Sequence, residues 1–375
     1  MDRLAPHSVR LQLLLGPAIA VPAPAAVIDA LTAVKVEAAA GDSASGFELT
    51  FVIPKGSPIQ AIFAISVPVF RCIIALTVRG VTEVLMDGVI THVDLAPSGS
   101  TATLSVKGKD LSQVMNLLPF DGVPYPAMSP MMRALAVMAK YAVLGCVPIA
   151  VPSLLEEVPV PTDKIPTQKG TDLAYLKKLA ADVGHVFYVD PGPVIGASRA
   201  YWGPEIRIGI PQPAISFGLG AGLDTCSALS FAYDREKKKT PIVYIQEPNS
   251  KAPIPIPIPD VTPLTPPLGL VPPLPPVTEK LSDTAKLTPG QALLTGIAFA
   301  ARNGDAVTGT GTLDVVKYGR VLRSRQLVGV RGTGLAFDGL YYVTKVVHQI
   351  KRGSYTQQFS LARNGFISTV GRIPA

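Results

Sequence analysis

The residues best suited to acid–base or metal chemistry in this 375-residue chain are its four histidines. They stand at His7, His92, His185 and His348, and none has another His or Cys at a metal-ligand spacing. The sequence contains no His-Glu-x-x-His and no Gly-x-Ser-x-Gly, the motifs that position a zinc ion or an activated serine. We therefore predict structural roles for the histidines and no metal site.

Two aspartates, Asp87 and Asp338, stand directly before a glycine, and a pair of carboxylates is what glycoside hydrolysis would require. Their matching settings instead favour the turns of two tight hairpins, because glycine supplies the positive φ that such turns need. The glycine-rich runs 218–222 and 332–334 lack the Lys and Ser/Thr of a phosphate-binding loop. The lone Trp202 is interpreted as a core or interface aromatic. The sequence therefore predicts no catalytic residue, no cofactor site and no enzymatic activity.

Cysteine usage and charge indicate where the protein is made and what it does not bind. The three cysteines, Cys72, Cys146 and Cys226, are odd in number and far apart, which predicts reduced, buried thiols in a cytoplasmic product. The net charge is +7, but the one basic cluster, Arg235–Lys239, has no interleaved aromatic residues. We interpret this cluster as a solvated loop and expect no nucleic-acid readout.

The chain is unusually apolar, with 48% hydrophobic and 16% charged residues. No stable membrane span is predicted, because the best candidate, 134–150, is short and is interrupted by Lys140 and Pro148. The leucine-rich run 11–15 resembles part of a signal peptide, but Pro17 ends it early and disfavours export. A surface that becomes buried in an assembly accounts for this composition.

Strand patterns dominate both ends of the chain. Short segments rich in β-branched residues and separated by glycine turns predict an antiparallel barrel or sandwich. They are Gly46–Ile53, Ile73–Val78, Gly88–Leu95, Thr101–Val106, Val321–Val330, Gly339–Val347 and Tyr355–Leu361.

Helical spacing appears between the two β regions. Helices are predicted in 111–117 and 131–144 and, most clearly, in 171–182, where Leu residues share one face. Thr171 or Gly170 can cap this last helix, and the strand pattern 185–190 follows it. The sequence therefore predicts an α/β insertion after the first β region.

Residues 248–276 hold 12 of the 37 prolines. Because proline has no N–H, the alternating run 254–259 is expected to form neither a sheet ladder nor a helix. We predict an extended proline-rich strap or loop over the surface.

The two β regions resemble each other. The first contains, in order, Val78-Arg79-Gly80, Met86–Ile90, Ser98-Gly99-Ser100 and Thr103–Val106. The second contains Val330-Arg331-Gly332, Phe337–Tyr341, Arg352-Gly353-Ser354 and Gln358–Leu361. The opening strands Phe47–Phe51 and Leu229–Tyr233 also match. Such ordered similarity predicts a duplicated β barrel.

Three segments resemble the late control D proteins of phages. They are Gln168–Val189, Val328–His348 and Arg352–Arg363, and the resemblance extends over roughly 47–364 with its weakest part at the strap. That family comprises the baseplate hubs of contractile tails and the hub part of spike proteins in type VI and extracellular injection systems. The resemblance implies an α+β, mainly β fold: two tandem tube-type antiparallel β barrels with an α/β insertion and a proline-rich strap.

The resemblance also implies a role without catalysis. Three copies with two barrels each would form a ring that joins the hexameric inner tail tube to a three-fold spike, here a separate chain. Other baseplate proteins and the tape measure protein are further expected partners. The chain is expected to be made in the bacterial cytoplasm and assembled into a phage tail or an extracellular injection particle. We expect a first barrel in 1–110, the insertion in 111–224, a second barrel in 225–247 with 285–366, and the strap in 248–284. A tail-associated cell-wall hydrolase and a single-barrel, tail-tube-like structural protein remain alternatives.

Overall fold

The computed structural model describes residues 9–41, 45–64, 67–153, 155–156, 158–163, 165–220, 222–246, 253–258, 265–273, 277–281 and 289–370. The strands are β1 Val9–Pro17, β2 Val21–Pro22, β3 Leu31–Ala39, β4 Gly46–Pro54, β5 Phe70–Val78, β6 Val81–Ser98, β7 Thr101–Asp110, β8 Cys146–Ala150, β9 Val186–Pro191, β10 Ser198–Gly203, β11 Gln212–Ser216, β12 Cys226–Tyr233, β13 Lys239–Gln246, β14 Pro253–Pro257, β15 Gly269–Val271, β16 Val277–Lys280, β17 Val307–Asp314, β18 Leu327–Arg331, β19 Gly339–Lys351, β20 Ser354–Arg363 and β21 Phe366–Ser368. The helices are α1 Ala25–Ala30, α2 Ile59–Phe63, α3 Pro130–Ala139, α4 Asp172–Asp182, α5 Pro289–Arg302 and α6 Val315–Tyr318, with 3-10 turns at Leu111–Asn116 and Ala142–Leu144.

Thirteen strands form one large, mainly antiparallel sheet. Its order is β12-β17-β20-β19-β3-β4-β7-β6-β5-β1-β2, with β18 beside β19 and β11 beside β18. We call β1 and β3–β7 the first half-sheet, and β11, β12 and β17–β20 the second half-sheet. The halves are joined where β19 pairs antiparallel with β3, from Lys345↔Ala39 to Lys351↔Ala33. The mainly β architecture agrees with the sequence prediction.

The two half-sheets have the same strand order. When the six strands of each are numbered along the chain, both halves have the spatial order 2-3-6-5-4-1. One difference is the direction of the first strand, since β1 is antiparallel to β5 whereas β11 is parallel to β18. This shared topology is the structural form of the repeat that the sequence indicates.

The register of the two central hairpins is also the same. Hairpin β6–β7 closes at Ser98↔Thr101 and hairpin β19–β20 at Lys351↔Ser354, so that equivalent residues are 253 positions apart. Both hairpins contain a one-residue bulge at equivalent places, beside Thr91 and Thr344. A bulge is a specific irregularity, and its recurrence at the same offset is strong evidence of duplication.

The neighbouring pair of strands repeats the correspondence. β3 pairs with β4 around a bulge at Thr32, and β12 pairs with β17 around a bulge at Ser227, so β12 is the counterpart of β3 at an offset of 195 residues. The counterpart of β4 is therefore β17. The match of 47–51 with 229–233 was wrong by one strand, because alternating β patterns align equally well with any strand that buries one face.

The Asp-Gly turn prediction was also wrong. The β5–β6 turn is formed by Arg79 and Gly80, both with positive φ, and Gly88 lies inside β6 opposite Cys72. Gly339 does have a positive φ, but it begins β19 after a longer connection. At the offset of 253 residues the counterpart of Gly88 is position 341, so the two Asp-Gly pairs do not superpose.

Each half-sheet has its own hydrophobic core. Fully buried side chains in the first half-sheet include Leu49, Phe51 and Leu76, while those in the second include Tyr341 and Val346. Buried residues alternate with more exposed ones along β4 and β7, which is the pattern of strands with one buried face, whereas β5 is buried at nearly every position. Burial of each such side chain contributes on the order of 1.5–3 kcal/mol.

An α/β unit stands between β7 and β11 in the chain. It consists of α3, α4 and the sheet β8-β10-β9, and packs its own core around Trp202, Phe187 and Leu176. The Thr171 hydroxyl accepts a hydrogen bond from the Ala174 amide, which caps α4 as the sequence predicts. Trp202 is a core residue, also as predicted.

The proline-rich segment corrects a prediction, because part of it does form a sheet ladder. β14 pairs antiparallel with β13, and β13 pairs with β16, in a three-stranded sheet of order β14-β13-β16. The prolines at 253, 255 and 257 alternate, so their missing N–H groups share one side of the strand, which can be the outer edge. β14 is such an edge strand. The rest of the strap lies partly outside the described residues.

Four further elements differ from the expectation. β13 belongs to the small sheet and not to the second β region, and β11 leaves the α/β unit to pair with β18 in the large sheet. The strand expected at 321–330 begins only at Leu327. The leucine-rich run near the N-terminus is strand β1, which the sequence analysis did not predict.

Candidate functional site

The described histidines are structural or solvated. His348 is buried, its Nδ1 lies 2.8 Å from the Tyr355 hydroxyl oxygen, and burial lowers its pKa to about 3. His185 packs edge-on against Trp202, and burial lowers its pKa to about 4. His92 is exposed on β6 with its Nε2 2.8 Å from an Asp94 carboxylate oxygen. His7 lies outside the described residues.

The two aspartates that could form a hydrolytic pair have separate partners. Asp87 binds the Arg71 guanidinium through both oxygens, at 2.8 and 2.6 Å, and accepts a hydrogen bond of 2.9 Å from the Ser198 hydroxyl. Asp338 accepts hydrogen bonds from the amide and hydroxyl of Thr333 within its own loop, both at 2.8 Å. The structure gives both carboxylates local partners.

Arg71 connects the first half-sheet to the α/β unit. Besides Asp87, its guanidinium donates to the Gly196 carbonyl at 3.0 Å, and the Ser198 hydroxyl bonds the same carboxylate. The hydrogen bond and charge of Asp87 raise the pKa of Arg71 despite its burial. Since removal of one partner from a buried pair leaves an uncompensated charge, this contact fixes the unit firmly against the sheet.

Arg325 joins three parts of the fold. Its guanidinium donates hydrogen bonds to the Asp190 carboxylate in β9 and to the Ala39 carbonyl at the end of β3. The same group lies 4.0 Å from the centre of the Tyr188 ring. Burial raises the pKa of Asp190, although the nearby Arg325 opposes this shift. The residue therefore connects the second half-sheet, the first half-sheet and the α/β unit.

A third arginine fixes the segment that follows the α/β unit. Arg207 binds Asp305 in a bidentate contact, at 2.6 and 2.9 Å, and lies 4.8 Å from the centre of the Tyr342 ring. Burial acts to lower the pKa of Arg207, but Asp305 and Glu205 raise it overall. Three arginine contacts, one buried and two partly buried, thus hold the sheet and the α/β unit in one arrangement.

The remaining candidates for reactivity are inert packing groups. Cys72, Cys146 and Cys226 are free and buried, and burial raises the pKa of each thiol.

Over the described ranges no group of three or more His, Cys, Asp or Glu side chains could hold a metal ion. In the same part of the chain, no helix is long and apolar enough to cross a membrane. The basic cluster 235–239 is mainly an exposed loop between β12 and β13.

An unexplained surface feature is the distal part of β6. All residues from Thr91 to Ser98 are exposed, including the apolar Val93 at 39% and Leu95 at 45%. Their counterparts in β19, Val346 and His348, are 0% and 4% exposed, because β19 pairs with β3 on that edge. Residues 91–98 form the candidate assembly edge of the protein.

Comparison with known proteins identifies the fold. No protein-family model and no curated protein matches the sequence. A tail protein from Neisseria meningitidis MC58 matches with a TM-score of 0.63 at 14% identity, over 96% of this chain and 98% of that one. The 43 kDa tail protein of prophage MuSo2 from Shewanella oneidensis matches with a TM-score of 0.63 at 12% identity, over 95% and 99%.

An E. coli component of the type VI secretion system, described as structurally similar to the T4 bacteriophage tail proteins gp27 and gp5, has a TM-score of 0.52. It is 12% identical, over 92% of this chain and 76% of that one. At such identities the likeness establishes the fold. The chain has the fold of phage tail proteins and of this secretion-system component, in agreement with the resemblance found in the sequence.

Sequence reasoning missed the arginine contacts and the exposed edge. Arg71, Arg207 and Arg325 stand in unremarkable sequence surroundings, and their partners are 16, 98 and 135 residues away. The edge had a detectable signal, because 88–95 has strand periodicity that continues without a break to the turn at 99. What the pattern could not indicate is that one side of this strand has no partner strand among the described residues.

Proposed function

We propose that this chain is the structural hub of a contractile tail baseplate, in a phage tail or a phage-like injection system. In this proposal each half-sheet is one tube-type barrel, with the α/β unit and the proline-rich segment attached. The observation that carries the proposal is the repeated register of the two half-sheets, including both bulges. One chain thereby presents two similar modules side by side.

Two modules per chain suit an adaptor between six-fold and three-fold partners. Three copies arranged in a ring would present six modules to a hexameric inner tube, while the chain itself repeats only three times toward a separate spike. A single-barrel tube protein would lack the second module. The repeat therefore favours the hub over that alternative.

The proposed role requires rigid geometry and no chemistry. Arg71, Arg207 and Arg325 support this role, since each fixes one unit against another through buried or partly buried, charge-assisted hydrogen bonds. We propose a non-enzymatic protein without cofactor, made in the bacterial cytoplasm and assembled into the particle. Its partners would be the tube, the spike, other baseplate proteins and the tape measure protein.

The copy number in the assembled particle tests the proposal. Cryo-electron microscopy of purified particles, or native mass spectrometry of the chain bound to its spike, should give three copies per ring. Six copies per ring, each contributing one module to the tube, would overturn the adaptor role and favour a tube-like protein.

A further inference from the structure

The join between β19 and β3 provides a template for a strand contact between modules. In this join the Ala40 amide donates a hydrogen bond of 2.7 Å to the Thr344 carbonyl, beside the β19 bulge. Across the same ladder the Lys345 ammonium lies 2.6 Å from a Glu37 carboxylate oxygen. In this join the distal part of β19, the fifth strand of the second half-sheet, pairs with β3, the second strand of the first half-sheet.

The same chain carries both halves of this join a second time, and there neither half has a partner strand on that edge among the described residues. β6 is the counterpart of β19, and its distal residues 91–98 pair with β7 on one side only. β12 is the counterpart of β3, and it stands at the end of the large sheet with β17 as its one neighbour among the described strands. The free edges of β6 and β12 therefore correspond to the edges of β19 and β3, which pair with each other.

We propose that the distal edge of β6 in one copy pairs antiparallel with β12 of a second copy of this chain, in the register of the β19–β3 join. The register follows when 253 is subtracted from each β19 number and 195 is added to each β3 number. The pair Lys345↔Ala39 then becomes His92↔Asp234, and the pair Lys351↔Ala33 becomes Ser98↔Ala228. The proposal rests on the proposed hub function, and it specifies which surfaces close the ring.

The side chains at these edges fit the contact. The register places Val93 opposite Tyr233 and Leu95 opposite Phe231, so that exposed apolar residues of β6 meet aromatic residues that are half-buried at present. A long edge strand with exposed apolar residues is a hazard for uncontrolled aggregation unless a partner covers it. A complementary strand at the other end of the same sheet is the partner that the chain itself offers.

The contact is head-to-tail, because the two edges are different. Such heterologous contacts close into a ring when the rotation permits and otherwise extend into a filament. In the template every second residue of β19, counted from Thr344, is at a hydrogen-bonded position toward β3. Pro97 of β6 corresponds to such a position, and it has no N–H to donate. The ladder loses one donor there, and the pairing is expected to be strongest at 92–96.

A disulfide between copies tests the register. Ala96 and Ser230 are exposed, small and directly opposite each other at a non-hydrogen-bonded position, where Cα atoms are ~4.5 Å apart and a disulfide is feasible. Full-length chains carrying A96C and S230C together should give disulfide-linked oligomers on non-reducing gels, and a mixture of the two single variants should give linked dimers. The native cysteines are buried and serve as an internal background.

A matched control shifts one cysteine by two residues on the same face. In the A96C/A232C chain the thiols are diagonal neighbours at ~7–8 Å between Cα atoms, so cross-linking should be about tenfold slower. Equal rates in the two double variants, or no cross-link in A96C/S230C oligomers, would overturn the edge pairing.

The outcomes separate this inference from the proposed function. A three-copy ring without the A96C–S230C link would refute the strand pairing and leave the hub role intact. A linked ring of six copies would support the strand pairing and refute the three-copy adaptor. In addition, V93K should reduce assembly of the ring while leaving the thermal unfolding of the isolated chain unchanged. V143K, at a more exposed site outside the edge (89% against 39% for Val93), should change neither ring assembly nor thermal unfolding.

Discussion

The Arg71–Asp87 contact predicts a large loss of stability when one partner is removed. The side chains are 7% and 0% exposed, and Asp87 receives three hydrogen bonds, two from Arg71 and one from Ser198. Asp87→Ala leaves the guanidinium buried without its counter-charge, and loss of one partner from a buried pair costs about 3–5 kcal/mol. We expect a loss in that range from the free energy of unfolding.

Urea denaturation followed by fluorescence suits this measurement, because the lone Trp202 lies in the core of the α/β unit that Arg71 and Asp87 hold against the sheet. The control is Asp182→Ala, which removes an exposed i,i+4 pair with Lys178 and should cost ~0.5 kcal/mol or less.

The double variant Arg71→Met/Asp87→Leu gives a second check. It removes both charges and replaces them with apolar groups, so it should be more stable than Asp87→Ala alone. The reasoning is refuted if Asp87→Ala costs no more than Asp182→Ala, or if the double variant is the least stable of the three.

Two other predictions concern titration and catalysis. Burial lowers the folded-state pKa of His185 to about 4 and of His348 to about 3, whereas an unfolded His titrates near ~6.5. The unfolded chain therefore binds more protons below that value, and stability should fall as the pH is lowered from about 6.5 to about 4. His185→Gln should reduce the difference between urea midpoints at pH 7.5 and 4.5, and an unchanged difference would contradict the assignment. Purified protein should neither cleave peptidoglycan nor retain stoichiometric metal; cleavage that a single Asp, Glu or His substitution abolishes would establish the hydrolase alternative.

The sequence located the elements with strong local signals better than it predicted which strands correspond to each other. Glycine turns and alternation located β4 to β7, β19 and β20, and the Thr171 cap located α4, because these signals are local. The repeat alignment was wrong by one strand at β12, because a period of two residues leaves the register undetermined until a partner strand is known. The bulges at Thr32 and Ser227 fix that register, and they are visible only in the pairing.

Part of the candidate site was beyond sequence reasoning for a different reason. Asp87 was interpreted as a turn residue because glycine follows it, yet Gly88 approaches the Lys109 carbonyl so closely that a Cβ would lie 2.2 Å from that oxygen. The glycine is required by close packing of strands and not by a turn. Contacts such as Arg325 to Asp190 join residues 135 positions apart, and no local pattern encodes them.

The shared strand β19 has a mechanical consequence. It pairs with β20 and β18 in its own half-sheet and holds β3 through seven residue pairs. A force that slides the two half-sheets past each other along the strand direction loads all of these pairs together, whereas a force across the strands would open them one after another. The join between the half-sheets is therefore stiffer along β19 than across it, and a thrust in that direction passes from one core to the other through the paired strands.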